Sequence, residues 1–494
     1  MLMQAARAGA LLVGVRLLTR MADLITVLIL ARILEPQSFG LVALAMSLVS
    51  VVEAALELPL HAALVRQDVI TNDHYDAAFT LGAIRGILIG FGLIAISAPF
   101  SKFYHDDRLI LLVSSLSLAP VVRGLISPRL ASYQKELSFW RDFTIEAAGK
   151  LFGVAVAITF ALTTRSYWAI AAGVIASPVG MTATSYMLAP HRPRLSVKEL
   201  PAFIEFLGWN SAAQMISAVN WQIERLVLGK LQSATQLGLF TAGNDIAGIP
   251  FLSFFGPIFR PMYAAFAQSK NDIEQLRQDY TRISSIIIML GLPFLLGESA
   301  LAAPMVHLIL GDKWTPAVPL VFWLSLSFIP GLFTLASTAL FMALGKTTLL
   351  FRRNLVEFIC KLPLVIYGAI AFGFMGIVIA RVASELAANL FSLIMVRRMI
   401  GLRLRDQLMI GWRSVLSALV MLVPILICDR LLPDGPANGL AFSRIGTSVL
   451  VGAPTYFLVH WWLWKLAKQP KGVESMIWLM AQEAISKRNL PLSK

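Results

Sequence analysis

The amino-acid sequence predicts an all-α membrane protein with about fourteen transmembrane helices, arranged as two parallel-repeat six-helix lobes plus two C-terminal helices. Its composition, the length of its apolar runs and a weak internal repeat carry this prediction. Of 494 residues, 57% are hydrophobic and 14% are charged, whereas soluble proteins carry about 25% charged residues. With a mean hydropathy of +0.73, the chain is expected to be a membrane protein.

Apolar runs of about 20 residues recur along the chain, which is the length that a helix needs to cross the ~30 Å hydrocarbon core. The alternation over ~10 residues that is typical of membrane β-barrel strands is not seen. The shortest predicted turn lies near Gly373–Gly376. The predicted spans are residues 9–31, 39–61, 78–100, 108–127, 143–163, 166–189, 206–229, 236–259, 281–303, 318–343, 353–372, 374–396, 411–430 and 445–465.

The distribution of Lys and Arg predicts the orientation. With the N-terminus in the cytoplasm, the cytoplasmic loops hold roughly three times as many of these residues as the opposite side, as the positive-inside rule requires. An even number of spans then leaves both termini in the cytoplasm, with the chain in a bacterial inner membrane. The net charge of +14 is explained by contact with anionic membrane lipids, and nucleic acid is not an expected partner.

The two halves of the chain resemble each other. Residues 28–45 align with residues 226–243 at a shift of 198, which pairs Gly40 with Gly238, and Leu116–Pro120 aligns with Leu326–Pro330 at a shift of 210. Because the shift covers six helices, an even number, the repeats are parallel and related by an axis along the membrane normal. The predicted organisation is an N-lobe at 1–190, a cytoplasmic linker at 191–205, a C-lobe at 206–400, two further spans at 401–465 and a cytoplasmic amphipathic tail at 466–494.

Charged residues recur inside the predicted spans, although each costs at least ~2.5–3.5 kcal/mol at a helix centre. Cations suit an anionic ligand, since Arg binds phosphate through two parallel hydrogen bonds. Carboxylates beside them can carry a coupling H⁺ or Na⁺. The predicted substrate-binding cations are Arg16, Arg20, Arg85, Arg123, Arg225 and Arg260, and the predicted coupling carboxylates are Asp23, Glu53, Glu57, Glu224 and Asp245.

The alternative for intramembrane charges is a structural role. Ion pairs can lock helices together, and long side chains can extend to the membrane surface. Glu146 with Lys150, Glu357 with Lys361, and Arg381 with Glu385 have the i, i+4 spacing of ordinary helix pairs. For these three pairs the structural interpretation is at least as well supported by the sequence.

No motif for catalysis, metal binding or nucleotide binding is found in the sequence: HExxH, GxSxG, the Walker A loop and CxxC are all missing. The predicted external loops are short, whereas membrane glycosyltransferases and ligases usually carry a long one for their chemistry. The sequence therefore predicts a transporter that is not an enzyme and has no cofactor. It would be driven by an ion gradient, membrane potential or substrate flux.

Four segments resemble a known family: ARILEPQSFGLVALA (31–45), YQKELSFWRDF (133–143), LVLGKLQSATQLGLFTAG (226–243) and HLILGDKWTPAV (307–318). They are similar to the polysaccharide-transport branch, the Wzx-type flippases, of the multidrug/oligosaccharidyl-lipid/polysaccharide exporter superfamily. The exporters of colanic-acid and succinoglycan type are the most similar. One departure is that the family's seventh span often carries Asp in a D-x-x-x-I/L-G stretch, whereas here Glu224 stands one position away.

The resemblance implies two lobes around a central cationic cavity. It also implies a substrate, an undecaprenyl-diphosphate-linked oligosaccharide repeat unit, which would move from the cytoplasmic to the periplasmic leaflet for exopolysaccharide, O-antigen (lipopolysaccharide) or capsule synthesis. Polysaccharide polymerase and glycosyltransferases are possible partners. The alternatives are an ion-coupled multidrug or metabolite antiporter of the same superfamily, a lipid II flippase, a membrane-embedded glycosyltransferase or ligase, and a non-transporting scaffold. The excess of Arg in the N-lobe argues against a drug antiporter, since a cavity for cations should be acidic.

Overall fold

The computed structural model describes residues 25–58, 60–66, 70–136, 138, 140–196, 198, 209–431 and 438–468. Within these ranges the regular structure is helical. Eight helical segments of the described residues, some of them composed of consecutive short helices, are long and apolar enough to cross a membrane. The all-helical membrane class is therefore confirmed, while the count of fourteen spans stays a prediction.

The chain divides into two compact units. The first comprises Met1–Gly243, Ile309–Ala317 and Thr347–Ser384, and the second comprises Asn244–Leu308, Val318–Lys346 and Glu385–Lys494. The first unit thus combines the predicted N-lobe with segments of the predicted C-lobe. The predicted lobe boundaries stay a prediction.

The first unit begins with helical residues 25–33. Pro36 occupies the first turn of helix α1, where its missing N–H costs nothing. The side chain of Thr71 accepts a hydrogen bond from the His74 N–H and caps α3. The helices are α1 (Pro36–Ala55), α2 (Leu60–Arg66), α3 (Asn72–Tyr104), α4 (Arg108–Leu116), α5 (Leu118–Arg123), α6 (Leu130–Lys135), α7 (Trp140–Thr164), α8 (Trp168–Leu188) and α9 (Trp209–Leu231), with the first parts of α10 (Ala234–Gln268) and α16 (Thr347–Ile400) and a 3-10 turn (Asp312–Ala317).

Helix α16 is interrupted at Gly373, whose φ of 59° is not helical. A Cβ built on Gly368 would lie 2.4 Å from the carbonyl oxygen of Gly376, whereas eight residues of continuous helix would separate these positions by ~12 Å. The chain therefore reverses at Gly373. This is the tight turn that the sequence predicts between the eleventh and twelfth spans.

The second unit contains the remainder of α10 and α16. Its helix α11 (Ile273–Ala300) is capped by Asp272, whose carboxylate accepts hydrogen bonds from the N–H groups of Glu274 and Gln275. Tyr456 donates a 2.7 Å hydrogen bond to the carbonyl oxygen of Met289 and ties α19 to α11. The further helices are α11 (Ile273–Ala300), α12 (Ala302–Ile309), α13 (Val318–Ser327), α14 (Ile329–Leu332), α15 (Leu335–Ala343), α17 (Leu404–Met409), α18 (Trp412–Leu431) and α19 (Asn438–Leu466).

Within the first unit, the beginnings of α1 and α10 cross in direct backbone contact. A Cβ built on Gly40 would lie 1.8 Å from the carbonyl oxygen of Ala234, and one built on Gly238 would lie 1.8 Å from that of Pro36. The contact is reciprocal, because 36 corresponds to 234 and 40 corresponds to 238 at the same shift of 198. A parallel repeat whose symmetry axis passes between the two glycines would produce this geometry.

Several connecting segments meet at the same end of the first unit. The indole N–H of Trp314 donates a 3.0 Å hydrogen bond to the carbonyl oxygen of Ala31, and the ammonium of Lys313 donates to that of Leu34 at 2.6 Å. Lys230 likewise donates to the carbonyl oxygen of Phe103. Apart from Ala31, the last residue of the first predicted span, these residues belong to loops predicted on the extracytoplasmic side. The side of the membrane that they face stays a prediction.

Candidate functional site

Two of the predicted cations lie at the C-terminal end of α1. Arg85 donates a 2.7 Å hydrogen bond from Nε to the carbonyl oxygen of Leu56 and a 3.2 Å one from Nη2 to that of Glu53. Arg123 forms a 2.8 Å ion pair with the Glu53 carboxylate. The last carbonyls of a helix lack intrahelical partners and carry partial negative charge, which explains why Arg85 binds there. We call Arg85, Arg123 and Glu53 the arginine cluster.

The close packing of α3 against α5 brings the arginine cluster together. A Cβ on Gly82 would lie 2.7 Å from the carbonyl oxygen of Gly124, and one on Gly86 would lie 2.9 Å from that of Pro120. Glycines one turn apart let two helix backbones approach this closely. Arg85 and Arg123 extend from these two helices.

The arginine cluster keeps cationic surface available. The Arg123 side chain is 49% exposed although it is paired, and a guanidinium has five N–H donors. Glu57, one turn beyond Glu53, is exposed and acts electrostatically on Arg85 together with Glu53. The arrangement can accept an anion such as a phosphate at Arg123 while Arg85 holds the helix end.

A second charged group in the first unit is buried. Glu224 on α9 is 1% exposed, and its carboxylate binds Lys361 at 2.8 Å and both nitrogens Nε and Nη2 of Arg381. Lys361 also donates a 2.8 Å hydrogen bond to the carbonyl oxygen of Asn220 and lies 3.9 Å from Glu357. We call Glu224, Lys361 and Arg381 the buried triad.

The buried triad connects α9 to both arms of α16. A buried carboxylate loses its hydration, and this loss is repaid only by well-placed partners of opposite charge. Here two cations surround one carboxylate, so Glu224 is held as a carboxylate. The i, i+4 pair of Glu357 and Lys361 is present, but Lys361 is closer to Glu224, and Arg381 pairs with a residue 157 positions away.

The other predicted site residues are placed as follows. Arg225 is half-buried, and its Nη1 lies 3.5 Å from the Gln222 side-chain oxygen. Asp245 is exposed on α10, in the second unit. Arg16, Arg20 and Asp23 lie outside the described residues. Arg260 belongs to α10, but the structure does not describe its side chain. The roles assigned to all eleven predicted residues stay predictions.

Sequence reasoning missed one charged residue. Glu298, in the segment LLGESALAAP, is 5% exposed on α11 in the second unit. Neither carboxylate oxygen has a hydrogen-bond partner among the described residues. A glutamate within a predicted span was the available signal, but the sequence does not reveal whether such a residue has a partner.

A scan against protein families matches residues 29–319 to the family described as "Polysaccharide biosynthesis protein". The match covers more than half of the chain. The chain belongs to this family. The resemblance drawn from the four sequence segments is thus confirmed, and with it the assignment to membrane polysaccharide biosynthesis.

Curated relatives agree with this assignment. The chain is 23% identical over 412 residues to the lipopolysaccharide biosynthesis protein WzxC of Escherichia coli (strain K12), covering 81% of this chain and 82% of that protein. It is 24% identical over 352 residues to the succinoglycan biosynthesis transport protein ExoT of Rhizobium meliloti (strain 1021), covering 70% of each chain. The two names describe a biosynthesis protein and a biosynthesis transport protein, in keeping with a transporter.

Solved structures show the fold. The lipid II flippase MurJ, in an inward closed conformation, matches with a TM-score of 0.72 and 13% identity over 92% of this chain and 99% of that one. A multidrug-resistance MATE transporter in an inward-facing conformation matches with a TM-score of 0.62 and 14% identity over 79% and 98%. The protein therefore has the fold that these two transporters share, and its long apolar helices make it a multi-pass membrane protein.

Proposed function

We propose that this protein is a flippase that moves an undecaprenyl-diphosphate-linked oligosaccharide repeat unit from the cytoplasmic to the periplasmic leaflet. The arginine cluster is the observation that carries the proposal. A diphosphate is a compact anion, and a partly exposed guanidinium is the side chain that best matches its geometry. Membership of the polysaccharide biosynthesis family supports a glycan as the attached group.

The proposed mechanism is alternating access around a cationic cavity. Arg16, Arg20, Arg85, Arg123, Arg225 and Arg260 are the proposed cavity cations. The contact of Gly40 with Gly238, at the end predicted to be extracytoplasmic, supports a conformation closed on that side. Opening towards the periplasm would then separate α1 from α10 at this contact.

The environment proposed for the protein follows from its substrate. Membrane lipids surround it, both termini are cytoplasmic, and glycosyltransferases and a polymerase act before and after it on the same repeat unit. The coupling ion is H⁺ or Na⁺, carried by carboxylates such as Asp23, Glu53, Glu57, Glu224 or Asp245. In this proposal the protein forms and breaks no covalent bond in its substrate.

Replacing Arg123 tests the proposal. We expect Arg123→Ala to lower glycan export, because a hydrogen bond to a charged group contributes about 1.5–3 kcal/mol, which is about tenfold or more in affinity. The measurement is surface polysaccharide and intracellular lipid-linked repeat units in a deletion strain complemented with each variant at equal membrane level. Lys102→Ala is the matched control, because Lys102 is an exposed cation at the end of α3.

Two further variants separate the possible outcomes. Arg85→Lys keeps the charge but cannot match the two-point binding to the end of α1, so we expect reduced export together with reduced thermal stability. Wild-type export by well-expressed Arg123→Ala and Arg85→Ala would contradict the cationic-cavity mechanism. Normal surface glycan in the deletion strain, with new sensitivity to cationic dyes, would instead indicate a multidrug antiporter.

A further inference from the structure

The second unit contains an apolar cavity of about 310 Å³ between α11, α12, α18 and α19. Its walls include Met289, Leu301, Met421 and Ile425. Three other wall residues are also exposed on the outer surface of the helices: Phe294, Val449 and Phe457. Because α11 and α18 are candidate membrane spans, small apolar molecules can reach the cavity from the lipid.

Among the described residues, two polar side chains of the cavity wall make no hydrogen bond of ordinary geometry. They are the Glu298 carboxyl and the Ser448 hydroxyl. The Ser325 hydroxyl lies close enough to act on the Glu298 carboxyl, but it donates its hydrogen bond to the Val321 carbonyl oxygen at 2.8 Å. Ser448 is fully buried. An isolated carboxylate in an apolar environment is so costly that the group takes up a proton instead. Glu298 therefore differs from Glu224, which is equally buried but is neutralised by two cations.

The charged groups on the neighbouring helices do not neutralise Glu298. Helices α13, α14 and α15, which pack against α11, carry no titratable residue. On α18 and α19, Arg444 binds the Asp429 carboxylate at 2.5 Å, and Arg430 follows Asp429. The remaining titratable groups on these four helices are Glu274, Arg277, Asp279, Tyr280 and Arg282 on α11, His307 on α12, Arg413 and Cys428 on α18, and Tyr456, His460 and Lys465 on α19.

Arg413, Asp429 and His460 lie away from the carboxyl along their helices, whereas Tyr456 lines the same cavity. A Cβ built on Gly297 would lie 4.0 Å from Met421, which places Met421 next to this part of α11. Arg413 and Asp429 each lie eight residues from Met421, which is roughly 12 Å along α18. His460 lies twelve residues from Ser448, roughly 18 Å along α19. Tyr456 and Tyr280 hydrogen-bond to Met289 and Ser337.

We propose that Glu298 is a proton-binding site whose proton is taken up and released through the apolar cavity during transport. A hard cation takes about six oxygen ligands, whereas the side chains of the cavity wall offer one carboxyl and the hydroxyls of Ser448 and Tyr456, so a proton is the cation that fits. The inference deepens the proposed function. Protonation of Glu298 does not depend on that function, whereas uptake and release of the proton during transport rest on it. It makes H⁺ the coupling ion and gives it a residue outside the predicted set.

Labelling with dicyclohexylcarbodiimide tests the protonation state directly. This apolar reagent reacts with neutral carboxyls: the carboxyl oxygen bonds to the central carbon of the carbodiimide, the acid proton moves to nitrogen, and the adduct rearranges to a stable N-acylurea. We expect modification of Glu298 in the full-length protein in membranes, measured by peptide mass spectrometry. Its extent should exceed that at Glu224, whose carboxylate is bound by Lys361 and Arg381, at least about tenfold, and should fall as the pH rises.

Absence of labelling at Glu298 in the folded protein, or equal labelling of Glu224, would overturn the proposal. The Glu298→Gln variant must lose the label. Because labelling needs no substrate, its result tests the protonation of Glu298 independently of the proposed glycan.

The transport half is tested by export. Glu298→Gln keeps the shape and neutrality of the protonated side chain but cannot exchange a proton, so we expect near-complete loss of export with an unchanged melting temperature. Glu298→Asp should restore part of the export and its pH dependence. Wild-type export by Glu298→Gln would overturn the role in transport. If the wild-type protein also fails to export a lipid-linked glycan, the proposed function is overturned instead.

Discussion

Gly40→Ala and Gly238→Ala are each expected to lower thermal stability and glycan export sharply. The new Cβ would lie 1.8 Å from a carbonyl oxygen in either case, and both groups belong to helix backbones that cannot turn aside as a side chain can. Overpacking typically costs about 1–3 kcal/mol, and here two helices must separate. The melting temperature in detergent and surface polysaccharide in a deletion strain measure the two effects.

The control for this prediction is Gly92→Ala on α3, where a Cβ meets nothing within 4 Å. Alanine favours a helix interior by up to about 1 kcal/mol, so this variant should be neutral or slightly more stable. The double variant Gly40→Ala/Gly238→Ala should cost less than the sum of the single variants, because both act on one contact. Wild-type stability of Gly40→Ala would contradict the direct crossing of α1 and α10.

Glu224→Ala is expected to cause the other large loss of stability. It would leave Lys361 and Arg381 as two buried cations without their shared carboxylate, and breaking a buried pair in this way costs about 3–5 kcal/mol. The measurement is the melting temperature of the purified protein, together with its level in the membrane. A normal melting temperature would show that the carboxylate is not bound as described.

Lys361→Met is the matched variant for the buried triad. Arg381 still neutralises Glu224 through two nitrogens, and Met fills much of the volume of Lys without a charge. We therefore expect a clearly smaller loss of stability than for Glu224→Ala. If the two variants lose the same stability, the effect comes from packing rather than from charge.

The helices themselves could be predicted from the sequence because the bilayer requires long apolar runs. The turn at Gly373 also follows from the sequence, since two spans had to be separated there by a few glycine-containing residues. The crossing at Gly40 and Gly238 is different. The alignment pairs these residues as equivalent positions, but only coordinates reveal that equivalent positions touch.

The sequence shows which charged residues lie inside the predicted spans, but it does not show which residues they pair with. Sequence spacing suggests Glu385 as the partner of Arg381 and Glu357 as that of Lys361, because only neighbours along a helix can be inferred from spacing. In the structure Glu224 binds both cations across 137 and 157 residues of chain, as the difference in numbering gives. Glu298 could not be singled out from the sequence for the converse reason, since its distinguishing feature is that no cation pairs with it among the described residues.

Translocation in proteoliposomes tests the central claim most directly. Purified protein would be reconstituted with undecaprenyl-diphosphate-linked oligosaccharide from the same bacterium, and the outer-leaflet glycan would be measured with a membrane-impermeant lectin or glycosidase. We predict that wild-type protein makes inner-leaflet glycan accessible and that Arg123→Ala does so much more slowly. Glycan that stays as inaccessible as in protein-free vesicles, with folded and correctly inserted protein, would contradict the assignment as a lipid-linked oligosaccharide flippase.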